Sequence, residues 1–245
     1  MSLSIILTCY NEVPLIFETY RVLSTLMQAA GIEHEFIVVD DGSTEAVQRE
    51  LKEFFAESSA GLILSPRNEG RGAAVTKGIR AATKAYVGFT DTDLEIPAHA
   101  LLVLHHTAVA LQADMVIADR VYRADLSLRH LVRNLGSAAL RRASWLTLGL
   151  DHLDSESGAK VFDRSAVGRI LDHVSDPRWF WDTEIVAEAI KRSQRVVQVP
   201  VVVTRRRDKR STVRPLRDAL TYLRALHAYK KGRRARAAAE GDFGV

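Results

Sequence analysis

One cysteine, Cys9, occurs in 245 residues, so neither an internal disulfide nor a Cys-rich zinc site can form. No apolar run approaches the ~20 residues that a bilayer-spanning helix needs. The first residues, MSLSIILTCYNE, carry no basic leader and no cleavage site, so no signal peptide is expected. Pro/Gly-rich linkers, internal repeats and low-complexity tracts are missing too, and the eight histidines show no metal-ligand spacing. His105-His106 reads as part of a helix, with a structural role. A cytoplasmic protein with one sizeable core is the natural expectation.

What is present is unevenly charged. The net charge of +4 hides thirteen Lys or Arg against two Asp between Arg205 and Arg236, which leaves the rest of the chain acidic. Such a basic end suits nucleic acid, anionic lipid or phosphorylated substrates, or is a solvated face.

Apolar runs alternate with helical patterns through the first half. LSIILTCY (3–10), HEFIVVD (34–40), GLILS (61–65), AYVGFTD (85–91) and ADMVIAD (113–119) read as strands. Helical stretches follow from Pro14 to about Ala30 with Gly31 as stop, from Ser43-Thr44 to Glu57, from the Asn68–Gly72 loop to Ala82, and from Pro97 to Leu111. Repeated β-α units predict an α/β fold, a mostly parallel sheet with helices on both faces. Ligands of such sheets gather at the carboxyl ends of strands, where the polar clusters Asn11-Glu12, Asp40-Asp41, Arg67-Asn68, Asp91-Asp93 and Asp119-Arg120 fall. Beyond, 128–148 reads as a helix, SGAKVFDR (157–164) as a strand entering a helix and 179–193 as an aromatic then amphipathic helix. VVQVPVVVTRR (196–206) reads as an edge strand, because Pro200 interrupts it, and 215–231 as a leucine-striped basic helix.

The most telling stretch is TDTDLEIP (90–97). If the strand geometry continued past its end, Asp91, Asp93 and Glu95 would point one way and Thr92 and Leu94 the other. Three like charges so close call for a cation, and a divalent metal with oxygen ligands is the obvious one. A capped turn leading into the Pro97 helix is the plainer alternative. Carboxylates tied up by neighbouring arginines would argue against a metal seat.

Taken in order, TCYNE (8–12), VVDDGST (38–44), RNEGRGAAVTKGI (67–79), TDTDLEIP (90–97), IADRVY (117–122), SGAKVFDR (157–164) and WDTE (181–184) resemble family 2 glycosyltransferases of the GT-A, Rossmann-like fold. The nearest subgroup is that of the polyprenyl-phosphate sugar synthases. The resemblance implies a catalytic domain over 1–212 and a basic amphipathic helix and tail over 213–245. It implies a metal-dependent inverting transfer of a hexose from a GDP-mannose- or UDP-glucose-type donor to polyprenyl phosphate. Nucleotide-sugar contacts then fall to Tyr10, Glu12, Asp40, Asp41, Arg67, Asn68, Arg71 and Thr92. Mg²⁺ or Mn²⁺ falls to Asp93 first, then Asp91, with Glu95 third, where relatives often carry Gln. Acceptor-phosphate contacts fall to Arg120, Arg133, Arg205 and Arg207. The catalytic set is Asp93, Arg120, Arg133 and Asp182; an ionised phosphate needs no base, so Asp182 orients in this reading and acts as base in its rival.

Most of these residues also carry a plainer reading. Asp40-Asp41 is an ordinary Asp-Gly turn with a helix cap, RNEGRG a turn before a helix, Arg120 a partner of Asp119 and Arg133 a surface charge. Trp179, Phe180 and Trp181 line an acceptor groove or pack the core. The leucine stripe of 215–234 lies on anionic lipid, which implies a peripheral place on the inner membrane face, or packs on the domain. A small membrane partner protein or a second copy of the chain is a further option. The rival reading is the same fold acting on a hydroxyl of a glycan, natural product or protein. A remote rival is a nucleic-acid-binding module, which would leave the acidic strand ends unexplained, so no nucleic-acid partner is expected.

Overall fold

The computed structural model describes residues 1–122, 145, 147–150, 152–204 and 220–232. Seven strands form one sheet in the order β3-β2-β1-β4-β6-β5-β7. They are β1 (Ser2–Cys9), β2 (Glu33–Asp40), β3 (Gly61–Leu64), β4 (Tyr86–Phe89), β5 (Met115–Tyr122), β6 (Lys160–Asp163) and β7 (Val196–Val203). Among the described strands only β6 runs against its neighbours, pairing antiparallel with β4 and β5. The mostly parallel sheet foreseen from the β-α repeats is therefore present.

Among the described residues the longer helices are α1 (Val13–Ala29), α2 (Glu45–Phe55), α3 (Arg71–Ala81), α4 (Ala98–Leu111), α5 (Arg164–Leu171), α6 (Trp181–Lys191) and α7 (220–232). Alternation along the strands sorts them to two faces. Leu3, Ile5 and Leu7 point into a core shared with α1, α2 and α4. Ile6 points the other way, into a core shared with α3, α5, α6 and Leu226 of α7. Gly31, at φ +65, turns the chain out of α1 as its position predicts. Pro200 sits on β7, which borders the sheet, so its missing N–H disrupts no further ladder.

The leucine stripe of α7 divides. Leu226 is buried, and Tyr222, Ala225 and Tyr229 pack beside it on the core. The Tyr222 ring meets Phe180 edge-on at 5.3 Å, and Tyr229 Oη donates to Glu188 Oε1 at 2.6 Å. Leu220 and Leu223 stay exposed. Among the described residues no helix is long and apolar enough to cross a membrane.

His105 lies in the helix foreseen for it, α4, and is buried edge-on to Tyr86 at 5.3 Å, with no protein partner at either ring nitrogen. Burial, helped by neighbouring His106, pushes its pKa down to about 4. The unfolded chain takes up this proton near pH 6.5, the folded chain only near pH 4. Stability present above about pH 6.5 is therefore lost as pH falls through that window, at about 1.4 kcal/mol per pH unit. Chemical denaturation of His105→Leu between pH 7 and 4 is expected to show a flatter acid limb than the parent. An unchanged slope would rule out His105 as its source.

Candidate active site

The carboxyl ends of β1, β2 and β4 open onto one edge, and the start of antiparallel β6 reaches the same edge. Cys9, the last residue of β1, is buried, and burial pushes its thiol up to about 11, so it is inert there. Tyr10 follows, about half exposed. Asn11, at φ +55, ties this loop to the next: its N–H donates to Ser43 Oγ at 2.9 Å and its Oδ1 accepts from Thr44 N–H at 3.1 Å. Glu12 precedes α1, and its carbonyl accepts from Ile16 N–H.

Asp40 and Asp41 turn inward. Asp40 has no exposed surface; its Oδ2 accepts from Ser43 N–H at 3.0 Å and Gln48 Nε2 at 2.7 Å, and its Oδ1 from Ser43 Oγ. Asp41, nearly as covered, takes the N–H groups of Glu69 and Gly70, each at 2.9 Å. Assigning Asp40 to the nucleotide is thus corrected, because its carboxylate is wholly sheathed in protein donors. Asp41 shapes the glycine loop that approaches the site. Gly42, at φ +75, lets that loop come close, since a Cβ there would lie 2.1 Å from the Arg67 carbonyl carbon. Arg67 and Asn68 are exposed on the loop, with Arg67 only loosely paired to Glu69 at 3.7 Å.

The tip of β4 departs from the sequence expectation. The strand stops at Phe89 and residues 92–93 form a turn, with Leu94 at φ +53, so the side chains do not alternate. Asp91, Asp93 and Glu95 are all half-buried. Thr92, expected to touch the nucleotide sugar, is instead buried, and its carbonyl accepts from Thr19 of α1 at 2.5 Å. Asp93 Oδ1 accepts from Glu95 N–H at 3.1 Å, and Glu95 O accepts from Thr204 N–H at 2.9 Å. Asp91 Oδ1 receives two bonds from Arg71, from Nη2 at 2.8 Å and Nε at 3.1 Å. Its Oδ2 leans on Gly158, where an added Cβ would lie 1.8 Å away.

Asp91 is therefore tied to an arginine, the arrangement that counts against a metal seat. Among the described residues no group of three or more His, Cys, Asp or Glu is arranged to hold a metal by itself. The donors here are carboxylate oxygens, which suit a hard divalent cation, and Mg²⁺ usually takes only one or two of them besides phosphate oxygens. Asp93 suits a cation shared with a diphosphate, Asp91 does so only where Arg71 releases it, and the set does not fit a closed protein cage.

Behind the tip lies a buried charge chain. Arg71 Nη1 bonds Asp182 Oδ2, and Lys160 Nζ bonds Asp182 Oδ1 at 2.8 Å. Asp182 is 3% exposed and Lys160 is fully enclosed. Burial pulls the Arg71 pKa down, but Asp182 and Asp91 outweigh it and hold the guanidinium charged. Burial lowers the Lys160 pKa, against the pull of Asp182. Of the three aromatics, Phe180 and Trp181 pack the core and Trp179 stays 63% exposed beside Arg71. Trp181 Nε1 donates to Thr76 Oγ1 at 2.9 Å, fastening α6 to α3.

Arg120 pairs with Asp154, not Asp119. Its Nε and Nη2 each donate at 2.7 Å to one Asp154 oxygen, a fork-to-fork contact. This bond holds the Asp154 carboxyl below its usual range in spite of burial. Arg133, Arg205 and Arg207 lie outside the described residues. Lys160 and Asp154 are the site residues that sequence reasoning missed. The available signal for Lys160 was a lysine set between Ala159 and Val161 at the head of a short apolar run.

A mostly parallel sheet with polar loops gathered at one edge is the arrangement of an α/β ligand-binding fold. Residues 4–171 match the model of glycosyl transferase family 2, and the chain belongs to that family. It is 28% identical over 204 residues to glycosyltransferase AglD of Haloferax volcanii, covering 82% of this chain and 33% of that protein. It is 23% identical over 220 residues to dolichyl-phosphate beta-glucosyltransferase of Saccharomyces cerevisiae, covering 81% and 66%. To undecaprenyl-phosphate 4-deoxy-4-formamido-L-arabinose transferase of Pseudomonas fluorescens it is 29% identical over 147 residues, covering 59% and 43%. The chain thus spans between one third and two thirds of these relatives' lengths. Glucosyl-3-phosphoglycerate synthase of Mycobacterium tuberculosis, crystallised with Mn²⁺, UDP and glucosyl-3-phosphoglycerate, superposes with TM-score 0.69 at 21% identity, over 95% of this chain and 79% of that one. A mannosyltransferase of Pyrobaculum calidifontis in complex with GDP-Man and Mn²⁺ gives 0.55 at 18% identity, over 99% and 76%. Both share the fold.

Proposed function

We propose that the chain transfers a hexose from a nucleotide sugar to polyprenyl phosphate with inversion. The observation that carries this is the state of Asp182. A hydroxyl acceptor needs a base to take its proton, and the candidate base is buried with both oxygens bonded to cations. An ionised phosphate needs none. Two relatives bear names of polyprenyl-phosphate sugar transferases, which supports the same acceptor class.

In this reading Tyr10 and Glu12 meet the nucleoside, with Asp41 shaping the loop beneath it. Arg67, Asn68 and Arg71 face the diphosphate. Arg120 holds the acceptor phosphate, with Arg133, Arg205 and Arg207 as further contacts. An acceptor oxygen forms a bond to the anomeric carbon while the bond to the diphosphate breaks on the opposite face; the products are the sugar phospholipid and a nucleoside diphosphate. Asp93, then Asp91, with Glu95 near, would hold Mg²⁺ or Mn²⁺, whose chemistry is to stabilise the negative charge growing on the departing diphosphate. Residues 1–212 act as the catalytic unit. The exposed Leu220 and Leu223 of α7, with Arg224, Lys230 and Lys231, bring it to anionic lipid as a peripheral protein.

Incubation with radiolabelled GDP-mannose or UDP-glucose, Mn²⁺ and polyprenyl phosphate is expected to yield an organic-extractable, mild-acid-labile product. Label appearing only in a water-soluble glycoside would move the acceptor to a hydroxyl compound, and no product from any common sugar nucleotide would sink the reading.

A further inference from the structure

Lys160 stands on β6 with no exposed surface, 5.4 Å over the Phe89 ring. Burying an ammonium costs several kcal/mol unless it is well paired, and a methionine of similar length would fill the space without that cost. Its Nζ donates to the Ser157 carbonyl at 2.7 Å and to Asp182 Oδ1 at 2.8 Å. The charges alternate in space as Lys160, Asp182, Arg71, Asp91. Exposure rises along the chain: the side chains are 0%, 4%, 12% and 40% exposed.

Without Lys160, Arg71 would answer two carboxylates alone. With it, Asp182 is neutralised from the buried side and grips Arg71 without cancelling its charge. Among the described residues the other carboxylate partner of Arg71 is Asp91, at the open end, where an incoming anion can replace the carboxylate.

We infer that Lys160 is a positioning residue for the donor: by neutralising Asp182 from behind, it keeps the Arg71 guanidinium fixed in direction and electrostatically available to a nucleoside diphosphate. This rests on the donor half of the function proposed above.

Calorimetric titration of UDP and of GDP, each with Mn²⁺, tests it. Lys160→Met is expected to weaken binding about ten- to a hundredfold, because Asp182 then draws the Arg71 charge to itself. Adding Asp182→Asn to Lys160→Met removes both buried charges and is expected to return binding to within about threefold of the parent. A purely structural lysine predicts the opposite, since two buried changes would compound. If Lys160→Met does not fold, the double variant decides alone: folding with near-parental affinity supports the inference. A double variant that is unfolded, or that binds no better than a folded single, overturns it. Parental binding of neither nucleotide sinks the donor reading and this inference with it; parental binding that Lys160→Met leaves unchanged sinks this inference only.

Discussion

Asp93→Asn is expected to cut sugar transfer roughly a thousandfold while leaving the fold intact. The substitution is well suited to the question. In the parent, Asp93 Oδ1 accepts from Glu95 N–H at 3.1 Å, and the turn is closed by Leu94 N–H donating to Asp91 O at 3.4 Å. An asparagine oxygen can accept the same bond, so the turn persists and only the charge is lost. Affinity for Mn²⁺ in the presence of UDP or GDP, followed by electron paramagnetic resonance, should fall in parallel. Glu95→Gln should cost less than tenfold, since the amide keeps the side chain's length and leaves the backbone bonds of residue 95 to Asp93 and Thr204 in place. Parental turnover in Asp93→Asn would remove Asp93 from the metal seat.

The sheet was legible because its strands are short apolar runs bounded by turn residues, and their order along the chain dictates β-α-β crossovers. The tip of β4 was misread because extended geometry was carried past Phe89; Leu94 in the left-handed region reverses the chain and turns Thr92 to α1. Asp40 was misread for a related reason. A carboxylate after a strand looks the same in sequence whether it faces ligand or, as here, three donors from Ser43 and Gln48. The buried partners were hidden by topology. Attention went to strand ends, but β6 is antiparallel and delivers its beginning, so Lys160 and the approach from Asp154 to Gly158 reach the site unannounced. Asp182 was seen, yet its role depends on Lys160 and Arg71, 22 and 111 residues away in sequence. That enclosure also spoils a simple experiment. Asp182→Asn alone would leave Lys160 a buried ammonium without its counter-charge whatever the acceptor, so lost turnover would say nothing about a catalytic base.

The acceptor is better tested at Arg120. Arg120→Ala alone should destabilise the protein by about 3 kcal/mol, because Asp154 is 6% exposed and would be left as a buried, unpaired carboxylate. Its activity would then report damage as much as function. Arg120→Met together with Asp154→Asn removes both charges and keeps the volume, so its thermal midpoint should stay within a few degrees of the parent. With that fold preserved, the KM for polyprenyl phosphate is expected to rise about ten- to a hundredfold, the worth of one lost charge-assisted contact to phosphate. The KM for the nucleotide sugar should move far less, since no bond of the Lys160–Asp182–Arg71–Asp91 chain is broken and Lys160 loses only the longer-range pull of the Asp154 carboxylate. Unchanged acceptor KM in the folded double variant would leave Arg120 as a brace for Asp154 and pass the acceptor phosphate to other cations. Equal rises in both KM values would mean that the two ion-pair systems are coupled, through the pull of Asp154 on Lys160 or through Ser155 and Thr183, the sequence neighbours of Asp154 and Asp182, whose hydroxyls meet at 3.3 Å.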